Sequence, residues 1–196
     1  MTAREAILSA LRRNAPTTVP PPDHPEGMRF PDPVAQFLES VKAVGGASAR
    51  VADAAALQAA LSALPVWAEA KKTVSLVPGA GHSTLDPDAV ADPHQLEGVD
   101  VAVIAGALGV AENGAVWVPG ENLGRHRAIF VITEHLVLTV RAADVVSNMQ
   151  EAYERIRIER PGYGVFISGP SKTADIEQAL VIGAHGARSC SVFVVG

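Results

Sequence analysis

Apolar residues along this chain fall into two regimes. Over residues 2–13 they recur at helical spacing, with Ile7, Leu8 and Leu11 on one face. Thr2 and Glu5 have the T-x-x-E spacing of a capping box, and Arg12 and Arg13 suit the negative end of a helix dipole. Seven of the 14 prolines then fall within residues 16–33, which reads as an extended linker. Asp32-Pro33 has the form of an N-cap followed by proline at the first helical position, and predicts a helix to about Val44, before Gly45-Gly46. A further helix is expected over about Ala54–Leu64. From there the second regime takes over. Val74–Val77, Val101–Ala105, Ile129–Ile132, Leu136–Val140, Val165–Ile167 and Val192–Val195 are short branched runs without alternation, the pattern of strands buried on both faces. A long amphipathic helix over about Ala142–Ile158 and a shorter one near Asp175–Leu180 are expected between them. Strand and helix in alternation predict an α/β fold with a layered, mostly parallel sheet flanked by helices. The expected organisation is an N-terminal helical arm (1–15), a proline-rich linker (16–33) and an α/β domain (34–196). The arm's apolar stripe needs a cover, from its own domain or from a partner chain such as a second copy.

Composition narrows the function. Of 196 residues, 48% are hydrophobic and 19% charged, which suits a well-buried core. A net charge of −5 gives no basic footprint and argues against nucleic acid. The longest apolar run, Val101–Ala111, is too short to span a bilayer, so no membrane insertion is expected. The N-terminal stretch lacks the apolar core of a secretory signal, which makes a cytoplasmic location the expectation. The single cysteine, Cys190, excludes an internal disulfide and a self-contained iron–sulfur cluster. The six histidines show no H-x-x-x-H or H-E-x-x-H spacing, so no metal site is expected.

Three segments carry candidate chemistry. In GVAENGAVWV (109–118), Asn113-Gly114 between apolar stretches signals a hairpin with a type I′ turn. Glu112 beside it is either a hydrogen-bonded hairpin residue or a nucleophile or base, presented with backbone N–H groups near an oxyanion. In FISGPSKTADIE (166–177), a strand runs into Ser168, Gly169, Ser171, Lys172 and Thr173 ahead of a short helix. A glycine-containing strand-to-helix loop with a lysine and hydroxyls is a candidate site for a small carboxylate or phosphate. The plainer alternative is that Thr173 or Asp175 caps the helix. In GAHGAR (183–188), His185 between small residues is either a loop residue or a second catalytic candidate. Asn113 and Gly114 are grouped with the anion-binding residues. Gly79-Ala80-Gly81 lacks the third glycine of a dinucleotide fingerprint, Glu134-His135 reads as a hydrogen-bonded pair, and Arg125/Arg127 and Arg155/Arg157 read as solvated faces. Arg125-His126-Arg127 is the one of these that could help an anion site.

GVAENGAVWV, EHLVLTVRAADVV, AYERI and GVFISGPSKTADIEQALVIGAHGARS occur in the order and approximate spacing of the lactate-utilisation protein C family, the LUD domain. The resemblance is close over about residues 100–196 and looser before them. Many members read Glu-Thr-Gly-Thr at the hairpin, so a threonine contact does not carry over to Asn113 or Ala115. The resemblance implies a fold like that of the sugar-phosphate isomerase and coenzyme A transferase superfamily. It also implies a part in oxidising L-lactate to pyruvate with iron–sulfur partner proteins, this chain binding no cofactor itself. Ala111-Glu112-Asn113-Gly114 is similar, in addition, to the Ser-Glu-Asn-Gly signature around the glutamate nucleophile of coenzyme A transferases, with alanine in place of serine. Two functional expectations follow: a non-redox, small-anion-binding component of a lactate-oxidising system, with Glu112 and His185 facing the 168–173 loop, or a stand-alone acyl-transfer or isomerase enzyme using Glu112.

Overall fold

The unalternating branched runs form a parallel sheet in the computed structural model, which describes residues 2–15, 19, 26–158, 162–173 and 180–196. The helices are α1 (Ala3–Arg13), α2 (Pro33–Ala43), α3 (Ala54–Ser62), α4 (Pro65–Glu69), α5 (Ile129–Ile132) and α6 (Met149–Arg155). The strands are β1 (Ala47–Val51), β2 (Thr73–Ser75), β3 (Val101–Ala105), β4 (Leu108–Val110), β5 (Ala115–Pro119), β6 (His135–Arg141), β7 (Val145–Val146), β8 (Gly164–Ile167), β9 (Lys172–Thr173), β10 (Val181–Ile182) and β11 (Ser189–Val195). Five of them form an all-parallel sheet in the order β1-β11-β6-β3-β2.

Successive side chains on a strand face opposite ways, so each central strand feeds two cores. Ala102, Ile104, Leu136, Leu138, Val192 and Val194 pack with Phe37 and Val41 of α2 and Val116 and Val118 of β5. Val101, Val103, Val137 and Phe193 face the other way, onto Leu57 and Leu61 of α3 and Trp67 of α4. Val116 and Val118 belong to a second sheet, β7-β4-β5-β8, which shares that first face of the parallel sheet with α2. Its outward residues Leu108, Val110, Ala115 and Trp117 pack with Val146 and with Ala152 of α6. The high apolar content is thus spread over stacked layers that share the strands between them. At the entry to β2 and β3, Asp100 accepts the N–H groups of Lys72 and Lys71 at 2.8 and 2.7 Å, which holds its carboxyl below the usual range.

The local signals at the helix starts are realised. Thr2 and Glu5 form both bonds of the capping box, Asp32 accepts the Ala35 N–H ahead of Pro33, and Asp53 caps α3. α1 buries none of its residues, and Ile7 and Leu11 are 61% and 63% exposed. Among the described residues its apolar stripe is therefore uncovered. No helix among them is long and apolar enough to cross a membrane.

Four expectations are corrected. Ile129–Ile132 is a single helical turn rather than a strand, because a four-residue apolar run has no periodicity of its own to decide between them. The helix over 142–158 is only Met149–Arg155. Asn148 accepts the Glu151 N–H and caps it, and ahead of it a 3-10 turn at Ala142–Asp144 leads into Val145–Val146, which pairs with β4. The run Val74–Val77 is a strand only as far as Ser75. The segment after Ile167 is not all loop: Lys172 and Thr173 pair antiparallel with Ile182 and Val181. The expected helix near Asp175–Leu180 lies outside the described residues except for Leu180.

Cys190, at the start of β11, is 1% exposed, and burial pushes its thiol up to about 12. A thiol that stays protonated and covered does not react as a nucleophile. The native protein at pH 8 is therefore expected to take up no iodoacetamide in an hour, with stoichiometric labelling after denaturation. Labelling of the folded protein at the rate of a free thiol would contradict this burial.

Candidate functional site

The Glu112 hairpin is real, but its loop has four residues rather than two. Val110 pairs with Ala115, so Ala111–Gly114 form the turn, closed by the Gly114 N–H on the Val110 carbonyl at 2.9 Å. The Asn113 side chain accepts the Ala115 N–H at 3.0 Å, an Asx turn that explains asparagine here. The loop lies against the last turn of α2. Ser40 Oγ donates to the Ala111 carbonyl at 2.6 Å, and a Cβ on Gly114 would stand 2.7 Å from the Val41 amide nitrogen.

Glu112 itself is exposed, not enclosed in the apolar surroundings its neighbours in sequence suggest. Its Oε1 accepts the Met149 N–H, at the first residue of α6, at 2.9 Å. A carboxylate on an unpaired N–H of a first helical turn is well placed electrostatically. The N–H groups of Ala111, Glu112, Gly114 and Ala115 are each bonded within the protein, to Val146, Ser147, Val110 and Asn113.

The 168–173 loop is strapped at both ends. Ser168 Oγ donates to the Asn113 carbonyl at 2.8 Å, which joins this loop to the hairpin. Gly169 lies so close to α2 that a Cβ there would stand 2.6 Å from the Val44 carbonyl oxygen. The Lys172 ammonium donates to that same carbonyl. Its charge thus complements the negative end of α2 rather than standing free in the loop. On the other side, Ser171 N–H donates to the Ala187 carbonyl at 2.9 Å and the Ser171 carbonyl accepts the Gly183 N–H at 3.0 Å. These bonds bring the segment holding His185 against the loop.

The structure therefore assembles the candidates unevenly. Ser168, Gly169, Ser171 and His185 line one cavity of about 260 Å³. Glu112 does not line it. Asn113 meets it only through Ser168, Gly114 lies against α2, Lys172 is turned to α2, and Thr173 sits in β9. His185 is exposed and also borders a larger hollow of about 750 Å³, where Glu134 pairs with Arg188. Glu134 and His135 are accordingly not a pair, since His135 Nδ1 bonds Ser189 Oγ at 2.8 Å. The apolar wall of the small cavity, Phe130, Val131 and Leu136, was hidden in the sequence by the strand-like look of Ile129–Ile132. Its place is the amino-terminal edge of the parallel sheet, beside the residues that lead into β1, β6 and β11. Among the described residues, no group of three or more His, Cys, Asp or Glu is arranged to hold a metal ion.

The chain is 33% identical over 107 residues to lactate utilization protein C of Shouchella clausii, a stretch that is 52% of this chain and 46% of that protein. It is 30% identical over 104 residues to lactate utilization protein C of Deinococcus radiodurans, covering 52% and 49%. The chain thus matches about half the length of these relatives. Its fold is shared with a crystal structure of a DUF162 family protein from Deinococcus radiodurans, with a TM-score of 0.63 over 84% of this chain and 96% of that one, at 18% identity. Residues 91–195, which hold β3 to β11, the hairpin, the 168–173 loop and the His185 segment, match the model of the LUD domain, and the chain belongs to that family.

Proposed function

We propose that this chain is a non-redox component of an L-lactate utilisation system. In this reading it binds a small carboxylate or phosphate and acts in the cytoplasm with iron–sulfur proteins that receive the electrons removed as lactate becomes pyruvate. The observation that carries the ligand part is the shared cavity of Ser168, Gly169, Ser171 and His185, which joins the 168–171 loop to the His185 segment. The names of the relatives support the pathway. A single cysteine, buried in β11, supports placing cluster ligands on other chains. Small-molecule sites are concave and mostly apolar with a few polar groups, and this cavity has that character.

Deleting the gene is expected to abolish growth on L-lactate while leaving growth on pyruvate intact, and the tagged protein is expected to recover iron–sulfur proteins from cells grown on lactate. Normal lactate growth together with no such recovery would end the proposal. Acyl transfer through Glu112 is a second reading, favoured by the exposure of that carboxylate at a hairpin tip. It requires a covalent adduct on incubation with an acyl-CoA, seen by intact mass and lost in Glu112→Gln.

A further inference from the structure

The opposite end of the parallel sheet carries a second hollow. Past the end of β5, a 3-10 turn at Gly120–Leu123 folds over the end of β3, where Asn122 Nδ2 donates to the carbonyl of Ala105, the strand's last residue, at 2.7 Å. The chain continues through Gly124, beside Leu76 just beyond β2, to Arg125, whose N–H is held by Asp88 at 3.0 Å. Arg125, Arg127 and Arg157 line a hollow of about 690 Å³ with Trp117 and Tyr163, and Glu121 is the carboxylate on its wall. In open α/β sheets ligands bind beyond the carboxyl ends of the strands, and this is that end.

The arginines are arranged rather than merely present. The Arg127 guanidinium lies over the Tyr163 ring, 4.9 Å from its centroid. Arg157 Nη1 is anchored on the carbonyls of Glu154 and Ile156 at 2.8 and 2.9 Å. Among the described residues the ion pairs involve Arg29, Lys42, His94, Arg141 and Arg188, and none of Arg125, Arg127 and Arg157. Among the described residues, three guanidiniums against one carboxylate leave an excess of two positive charges around a concave surface, in a chain whose net charge is −5. Trp117 is 8% exposed and gives the hollow an apolar floor. A groove of about 260 Å³ continues from it across Trp117, Pro119, Glu121 and Arg157, and adds Arg155. Asp144 in that groove is already paired with Arg141.

From this arrangement we infer that the Arg125–Arg127–Arg157 hollow binds a phosphate-bearing anion with at least two negative charges. The planar fork of a guanidinium matches phosphate oxygens in pairs, and several such forks discriminate a polyanion from a single carboxylate. The site is separate from the Ser168–His185 cavity and does not depend on the function proposed for it.

Titration calorimetry of the full chain with inorganic pyrophosphate tests this, with acetate and L-lactate as singly charged probes. Pyrophosphate is expected to bind, and Arg127→Gln/Arg157→Gln to weaken it by about tenfold or more, since charge-assisted hydrogen bonds are lost. Arg12→Gln, an exposed arginine of α1 outside the hollow and its groove, is expected to keep wild-type affinity. All three substituted side chains are exposed, and circular dichroism checks that the variants fold. Pyrophosphate should also protect Arg125, Arg127 and Arg157, and not Arg12 or Arg13, from phenylglyoxal, read by peptide mass. The inference fails if pyrophosphate gives neither heat nor protection, if the folded double variant binds as the wild type does, or if Ser171→Ala is the change that abolishes binding.

Discussion

Gly114→Ala is expected to lower stability by about 2–5 kcal/mol, far more than glycine-to-alanine changes usually do. Gly114 has φ of 65°, in the left-handed region, where a Cβ costs about 1–2 kcal/mol by itself. The larger part comes from what that Cβ meets: the Val41 nitrogen at 2.7 Å, and the Ser40 carbonyl carbon at 2.8 Å. Both belong to the backbone of α2, so relief requires the hairpin loop or the helix to move. Either movement strains the Ser40–Ala111 hydrogen bond and carries Asn113 away from Ser168. For a chain of this size the loss corresponds to roughly 5–15 °C in Tm. Gly79 is the control, with φ of 73° and nothing within 4 Å of a would-be Cβ. Gly79→Ala should cost only the backbone part, about 1–2 kcal/mol. Equal losses at the two positions would show that the contact with α2 contributes nothing.

The same comparison shows what was legible in the sequence. Asn113-Gly114 announced a turn, and the turn is there. Its length was not legible, because Gly114 answers to a helix some seventy residues earlier in the chain rather than to a two-residue hairpin. Glu112 misled for a related reason: its sequence neighbours are apolar, but its side chain leaves them for the first turn of α6. Lys172 resembled an anion ligand, and only the three-dimensional arrangement reveals the Val44 carbonyl that it meets. The branched runs of β3, β6 and β11 were readable because burial on both faces is written in every residue of such strands. β1, with the sequence ASARV, was unreadable because an edge strand needs little apolar surface. The two-residue β7 was unreadable because it is too short to carry a pattern. The Arg125, Arg127 and Arg157 side chains passed as solvated faces, since nothing in their spacing shows that Trp117 and Tyr163 lie between them.

α2 connects these points, and Phe37 is the residue that seats it. Phe37 is fully buried in the core between the parallel sheet and the second sheet. Its ring lies against the bare backbone of β4: a Cβ on Gly109 would stand 3.2 Å from two of its ring carbons. Phe37→Ala should therefore cost about 3–5 kcal/mol, the usual range for removing a buried ring when its surroundings cannot collapse. Chemical denaturation should show this as a lower midpoint with an unchanged slope. A double-mutant cycle isolates the contact. In the wild type, Gly109→Ala presses a methyl group onto the ring and is destabilising. In the Phe37→Leu background that methyl group enters space the ring has left. The double variant should then be more stable than the two single changes predict by about 0.5–3 kcal/mol, the range found for side chains in contact. Simple additivity would mean that β4 and α2 are not pressed together at this position. In that case the hold of α2 on the hairpin and the 168–173 loop would rest on its last turn, at Ser40, Val41 and Val44.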